Sequence, residues 1–232
     1  SDPSEVCRQF EENLPIFQET GNRWMMAYIL FGIAYELRRS GDLPSARQTF
    51  EQSRTLFQEC GDGRHVSHAN ISLALIAIKE GRYTEARILC EEGLPIFRQL
   101  RFSLRDVPLW ILGVIAIIEG NYADAKAWYT ECLLFDWEIG VDNQFPECLL
   151  GFASIANSEK RFERAAQLLG AADVAMRTRQ DPPLETFDQA ELDRLKTLLS
   201  DEVGEVNFEA MAAKGRAMSQ EQAIAFALEE QE

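Results

Sequence analysis

Apolar positions along the first third of the chain fall into short stripes with helical spacing. Between Arg23 and Arg39 they occupy Ile29, Leu30, Ile33, Ala34 and Leu37, the i, i+3, i+4 pattern of a helix with one buried face. Gly41 supplies a stop, because glycine tolerates the left-handed conformation that closes a helix. A second helix is expected from about Leu43, with Pro44 in its first turn and a stripe at Ala46, Phe50, Ser53 and Phe57.

This pair recurs. Gly41-Asp42-Leu43-Pro44-Ser45-Ala46 returns as Gly81-Arg82-Tyr83-Thr84-Glu85-Ala86 and as Gly120-Asn121-Tyr122-Ala123-Asp124-Ala125, then as Lys160-Arg161-Phe162-Glu163-Arg164-Ala165. The alanines step by 40, 39 and 40 residues, and a small residue stands seven positions before each turn: Ala34, Ala74, Gly113 and Ala153. A period of this length signals stacked helix pairs sharing one core.

Three parts are expected. Residues 1–21 form half a unit, since Phe10, Phe17 and Gly21 precede Phe50, Phe57 and Gly61 by 40. Four units follow at 22–61, 62–101, 102–140 and 141–180. Capping helices occupy 181–232, after Asp181-Pro182-Pro183 breaks the periodicity. A solenoid that opens on a half unit lacks its polar cap, so the chain is expected to be cut from a longer protein with more repeats upstream. In the tail, helices are expected over Glu185–Leu199 (stripe Phe187, Ala190, Leu195, Leu198) and Asn207–Lys214. Ser219 and Gln222 have capping-box spacing and open a last helix over Gln220–Glu230.

Composition narrows the functional classes. Of 232 residues, 46% are apolar and only 22 are Gly or Pro, which suits long helices. The net charge of −15 argues against unaided nucleic-acid binding, and the tail carries −9 of it. The longest apolar run, Leu109–Ile118, is half a membrane span, and Ser1-Asp2-Pro3-Ser4-Glu5 shows no secretory signal. Five cysteines, an odd number without Cys-x-x-Cys spacing, read as reduced and structural. A cytoplasmic location is expected.

The small residue, the Gly-x-aromatic turn and the following alanine resemble the tetratricopeptide repeat across roughly Ser4 to Arg179. The period exceeds that family's usual value of about 34, and its tryptophan position holds Leu30, Asn70, Leu109 and Leu149. Longer units of this kind resemble the superhelical sensor domain of the bacterial maltotriose-responsive activator, and large signal-transduction ATPases with a LuxR-type DNA-binding end. The segments Phe208–Ser219 and Gln222–Leu228 resemble the close of the repeat domain in such regulators, and cyclase and kinase fusions carry similar ones. The implied fold is all-α, a right-handed α-solenoid with a C-terminal helical cap.

Enzymatic signatures are missing. No Walker-type loop, Gly-x-Gly-x-x-Gly turn or Gly-x-Ser-x-Gly elbow occurs. The two histidines, His65 and His68, with Cys60 nearby, lack a fourth ligand of suitable spacing for a metal. Acidic runs such as Glu11-Glu12, Glu91-Glu92 and Glu229-Glu230 read as solvated helix faces. No catalysis, metal or cofactor is expected.

The resemblance implies that the first helix of each unit lines the concave face. Carrying its offsets over gives Tyr28, Phe31, Tyr35, Arg38 and Arg39 in the first unit and His68, Ile71, Leu75 and Lys79 in the second. The third contributes Val107, Trp110, Val114 and Ile117, and the fourth Glu147, Leu150, Ser154 and Asn157. Val107–Ile118 is apolar nearly all round, so Trp110 and Ile117 belong either to a core or to an open apolar surface. The expected function is non-catalytic: the sensor or partner-binding segment of a bacterial transcriptional regulator in signal transduction. Its ligand would be a protein, a peptide or a small-molecule inducer, with no membrane contact and with room for a homodimer. Two other readings stand beside it: a constitutive protein-interaction scaffold, and a noncatalytic segment of a multidomain cyclase or kinase.

Overall fold

A computed structural model describes residues 3–100, 106–140, 144–178 and 187–229. The described residues form twelve α-helices and no strand: α1 (Pro3–Glu19), α2 (Arg23–Ser40), α3 (Leu43–Glu59), α4 (Gly63–Lys79), α5 (Tyr83–Leu100), α6 (Asp106–Ile118), α7 (Tyr122–Ile139), α8 (Phe145–Ser158), α9 (Phe162–Thr178), α10 (Phe187–Val203), α11 (Glu205–Arg216) and α12 (Gln220–Leu228). The protein is all-α. Asp181-Pro182-Pro183 and the expected boundaries at 101 and 180 lie outside the described residues, while the unit expected to end at 140 does so at Gly140, the left-handed cap of α7. Among those residues no helix is long and apolar enough to cross a membrane.

The turns explain why the helices break where they do. Gly41, Gly81 and Gly120 have φ values of 91°, 72° and 74°, a backbone region that costs an ordinary side chain energy and glycine almost none. The fourth copy of the turn carries Lys160 in the same region, with φ 61°. The next helix is then capped by a polar side chain. Asp42 and Asn121 accept the backbone N–H of Ser45 and Asp124, and Asn22 and Asp62 do the same for Met25 and His65. Each such cap is worth about 1 kcal/mol.

The chain divides into two compact units, Ser1–Ile111 and Leu112–Glu232, the division falling within α6. In the first unit α2 packs on α1 and α3, α3 on α4 and α4 on α5, while α2 also touches α4. The alanines of the turn pattern sit where these helices cross: Ala34, Ala46, Ala74 and Ala86 are wholly buried, as are Phe50, Ser53 and Phe57. The Ser53 hydroxyl donates to the Ala27 carbonyl at 2.7 Å, so the polar residue of the α3 stripe is satisfied inside the core.

In the second unit the Tyr129 ring of α7 lies between two glycines, Gly113 and Gly151. A β-carbon at either position would come within 3.0 Å of the ring. Helix α9 packs on α8 and α11. At the latter crossing Gly170 faces the Ala212 carbonyl and Gly215 the Gln167 carbonyl, leaving no room for a side chain. Arg164 of α9 donates to the carbonyls of Phe226, Ala227 and Glu229 at 2.7–3.1 Å, which closes the C-terminus of α12. The N-terminus of α12 carries the capping box formed by Ser219 and Gln222.

Helix α10 buries Leu195, as the expected stripe has it, and departs from it at Leu198; the side chains of Phe187 and Ala190 lie outside the described residues. Its buried residues are Leu192, Leu195 and Leu199, while Leu198 is 38% exposed. It packs against α8, α9 and α11.

Candidate recognition face

Helix α2 presents Trp24, Tyr28, Phe31 and Tyr35 at successive turns. Tyr28 and Tyr35 are 46% and 40% exposed and Trp24 is 36% exposed, while Phe31 is half-buried against Phe50, ring centroids 5.3 Å apart. These rings are held in place. The Trp24 indole N–H donates to Asp62 Oδ2 at 2.8 Å, and Tyr28 stacks on Trp24 with centroids 5.5 Å apart and planes 12° from parallel.

Asp62 is the hub because it is also the N-cap of α4. Its Oδ1 accepts the His65 backbone N–H at 3.1 Å, and Oδ2 lies 2.7 Å from His65 Nδ1. Burial pushes the Asp62 carboxyl up, but the hydrogen bonds from Trp24 and from the His65 backbone and ring pull it further down, to about 2. His65 in turn stacks on Phe57 at 4.7 Å and meets Trp24 and Tyr28 edge-on. His68 follows, 5.7 Å from His65 and stacked on Phe97 at 5.6 Å. Burial, with the nearby charges of His65 and Arg64, lowers His68 to about 4, against the opposing pull of Asp62. Its Nε2 is buried without a hydrogen-bond partner among the described residues.

The far end of the face is basic. Arg38, buried to 7% exposure, lies over the Tyr35 ring at 5.3 Å, a cation–π contact. Burial lowers the Arg38 pKa, and burial together with the Arg38 charge lowers that of the exposed Lys79. Arg39 is exposed and bonds Glu36 at 2.9 Å.

The structure thus brings Tyr28, Tyr35, Arg38, Lys79 and the half-buried Phe31 and His68 to one region of the first unit. The remaining expected positions lie elsewhere. Ile71, Leu75, Val107 and Trp110 are buried, at 8%, 3%, 1% and 4% exposure, and Val114 and Ile117 are half-buried. Their place in the interior follows from the surroundings: every residue from Ala69 to Ile78 of α4 is buried, so the apolar residues of that helix fill the space between helices and present no open wall. In the second unit Glu147, Leu150 and Ser154 are buried and Asn157 is half-buried. The Ser154 hydroxyl donates to Glu191 Oε1 of α10 at 3.2 Å.

Three members of the face escaped the sequence reading as binding residues: Trp24, Asp62 and His65. Trp24 lies one turn before Tyr28, outside the carried-over offsets, and an Asp three residues before His65 was the available signal. Among the described residues no group of three or more His, Cys, Asp or Glu side chains could hold a metal. Cys60 is exposed and Cys90, Cys132 and Cys148 are buried, none of the four in a disulfide; burial pushes the Cys90 thiol up. A cleft of about 130 Å³ in the second unit, bordered by Phe145, Val174, Met218 and Ala223, has no titratable side chain in its lining.

No protein-family model and no curated protein matches the chain. Among solved structures it is similar to the crystal structure of BtubC (BKLC) from P. vanneervenii, with a TM-score of 0.65 at 15% sequence identity, over 94% of this chain and 92% of that one. At that identity the likeness is one of fold.

Proposed function

We propose that the chain is a non-catalytic recognition segment, a right-handed α-solenoid of tetratricopeptide-like units acting as the sensor or partner-binding domain of a bacterial transcriptional regulator in the cytoplasm. One observation carries the recognition reading. Trp24, Tyr28 and Tyr35 are exposed aromatic side chains on one helix, Trp24 bonded to Asp62, Tyr28 stacked on Trp24 and Tyr35 under Arg38, with Lys79 near Arg38. Aromatic residues in contact with water are costly, and an ordered row of them gains free energy when a ligand covers it. The basic end would orient that ligand.

As a sensor, the segment would work through a ligand that binds one shape of the repeat stack more tightly than another, since only differential affinity shifts such an equilibrium. The rigidity of the Trp24–Asp62–His65 cluster favours a second reading. A face already in its binding geometry loses little entropy on binding, which suits a constitutive scaffold equally well.

The test places the photo-crosslinking residue p-benzoylphenylalanine at position 35 of the complete protein in its host cell, with position 88 as control because Ile88 is 50% exposed on α5. Recognition at this face gives a specific adduct at position 35 that disappears with Tyr28→Ala. Equal adducts at both positions, or none at position 35, contradict it.

A further inference from the structure

Helix α7 is apolar on two sides. Ala125, Tyr129, Cys132 and Leu133 are buried inside the second unit. On the other side Ala123, Ala127, Leu134 and Trp137 are exposed, the last two to 49% and 50%, with the half-buried Thr130 among them. These five follow one another at steps of 4, 3, 4 and 3 residues. That spacing keeps them on one narrow stripe, the seam that one helix offers to another.

A solvated face does not call for such a row. At the same distances from the turn alanine, α3 carries Gln48, Glu51, Thr55 and Gln58, all exposed and polar. The neighbouring helix leaves the stripe open. Helix α8 meets α7 at the Tyr129 ring, through Gly151, and the stripe is exposed with α8 in place. On α9 the register of Thr130 holds Gly170, against which α11 packs, so a helix fits this face of a unit.

We infer that the stripe of α7 docks a basic amphipathic α-helix of a partner protein. It belongs to a different unit from the α2 face, and neither surface depends on the other.

Charge sets the partner's sign. The second unit holds 23 acidic and 10 basic residues, so −13 of the chain's −15 resides there. At about 100° per residue, Asp124, Glu131 and Glu138 follow one edge of the stripe, and Lys126 is the one basic residue of α7. Contacts within the chain engage these side chains. They leave the net charge of the unit unchanged, and it is the net charge that acts on an approaching partner. A second copy would bring another −13 against it, and a nucleic acid or an anionic membrane would be repelled in the same way. A helix with one apolar row between Lys or Arg residues is attracted and covers Leu134 and Trp137.

Shape sets the direction. The stripe runs from small side chains at Ala123 and Ala127 to large ones at Leu134 and Trp137, over about 21 Å of helix at 1.5 Å per residue. Trp137 is the anchor, the residue type that most often dominates an interface. The docked helix fits best with its own larger apolar side chains toward Ala123.

The probe is a fluorescein-labelled peptide of three Leu-Lys-Lys-Leu-Ala-Lys-Lys heptads, beside a scrambled peptide of the same composition and a version with Glu in place of Lys. Binding to the full 232-residue chain is followed by anisotropy as salt is raised. The heptad peptide should saturate one site, and more weakly at higher salt. Its binding should fall at least about tenfold with Leu134→Ala/Trp137→Ala, as for loss of anchoring residues. With Ile88→Ala, in the other unit, it should stay within about twofold. The scrambled peptide should bind at least about tenfold more weakly, and the Glu version not at all. Circular dichroism checks that each variant is folded. In the host cell, p-benzoylphenylalanine at position 134 of the complete protein should join a Lys- or Arg-rich segment of another protein with apolar residues at heptad spacing, identified by mass spectrometry of the adduct.

Failure of either arm overturns the inference. In solution that means no saturation, equal binding of the scrambled peptide, or binding indifferent to Leu134→Ala/Trp137→Ala, which marks attraction to the acidic unit at large. In the cell it means no adduct, an acidic segment, or a segment of this chain. Trp137-dependent self-association by sedimentation also overturns it, the occupant then being a second copy.

Discussion

The Trp24 indole N–H donates to the Asp62 carboxylate at 2.8 Å, tying the exposed row of α2 to the first turn of α4. One carboxylate therefore serves two purposes, capping a helix and fixing an aromatic platform. Asp62→Ala removes both and is expected to cost about 1–3 kcal/mol in chemical denaturation. Asp62→Asn keeps an acceptor for the cap and should cost less. Because the folded carboxyl titrates at about 2, below its ordinary 3.8, the unfolded state binds more protons between those values. The stabilisation is full above about pH 4 and is lost as pH falls toward 2; Asp62→Asn should flatten the acid limb of the stability profile there.

His68 acts in a higher window. Its folded pKa of about 4 lies below the ordinary 6.5, so the unfolded state again takes up the proton first. Stability should decline as pH falls from about 6.5 to 4, by on the order of 1–2 kcal/mol. His68→Phe retains a ring against Phe97 and should remove that decline, while leaving the lower window of Asp62 in place. Thermal melts across pH 3.5–7.5 check it, and an unchanged profile in His68→Phe would contradict it.

Glycines at two crossings should respond differently to the same change. Gly151→Ala meets the Tyr129 ring, a side chain that a smaller residue can replace, and should cost about 1–3 kcal/mol with partial rescue by Tyr129→Leu. Gly215→Ala meets the Gln167 backbone carbonyl, which no side-chain substitution relieves. It should separate α11 from α9 and show as faster hydrogen exchange in α11 and α12, with no rescue partner. Equal costs and equal rescue would contradict the two crossings.

The helices of the first unit were legible because local chemistry specifies them. The 40-residue spacing, the Gly41-type turns and the Asp and Asn caps act within a few residues of where they stand. The α3 stripe of Ala46, Phe50, Ser53 and Phe57 is wholly buried. Exposure was less legible, because it depends on what another helix brings. Tyr35 and Ser154 share a register, yet one is open and the other is bonded to Glu191 of α10, a helix outside the repeat. Leu75 and Trp110 show the same limit: their spacing marks a face, and burial follows from neighbours that spacing does not describe.

The central claim, that the α2 face is covered by a ligand in the cell, is tested most directly by thiol accessibility. In the Cys60→Ser background, which removes an exposed thiol, Tyr35→Cys and Ile88→Cys are labelled with a maleimide in the purified chain and inside the host cell. Both should label fully in the purified chain, since residues 35 and 88 are 40% and 50% exposed. In the cell the account predicts protection at position 35 and full labelling at position 88. Equal labelling of both in the cell would mean that the aromatic face stays bare, and the recognition reading would fail.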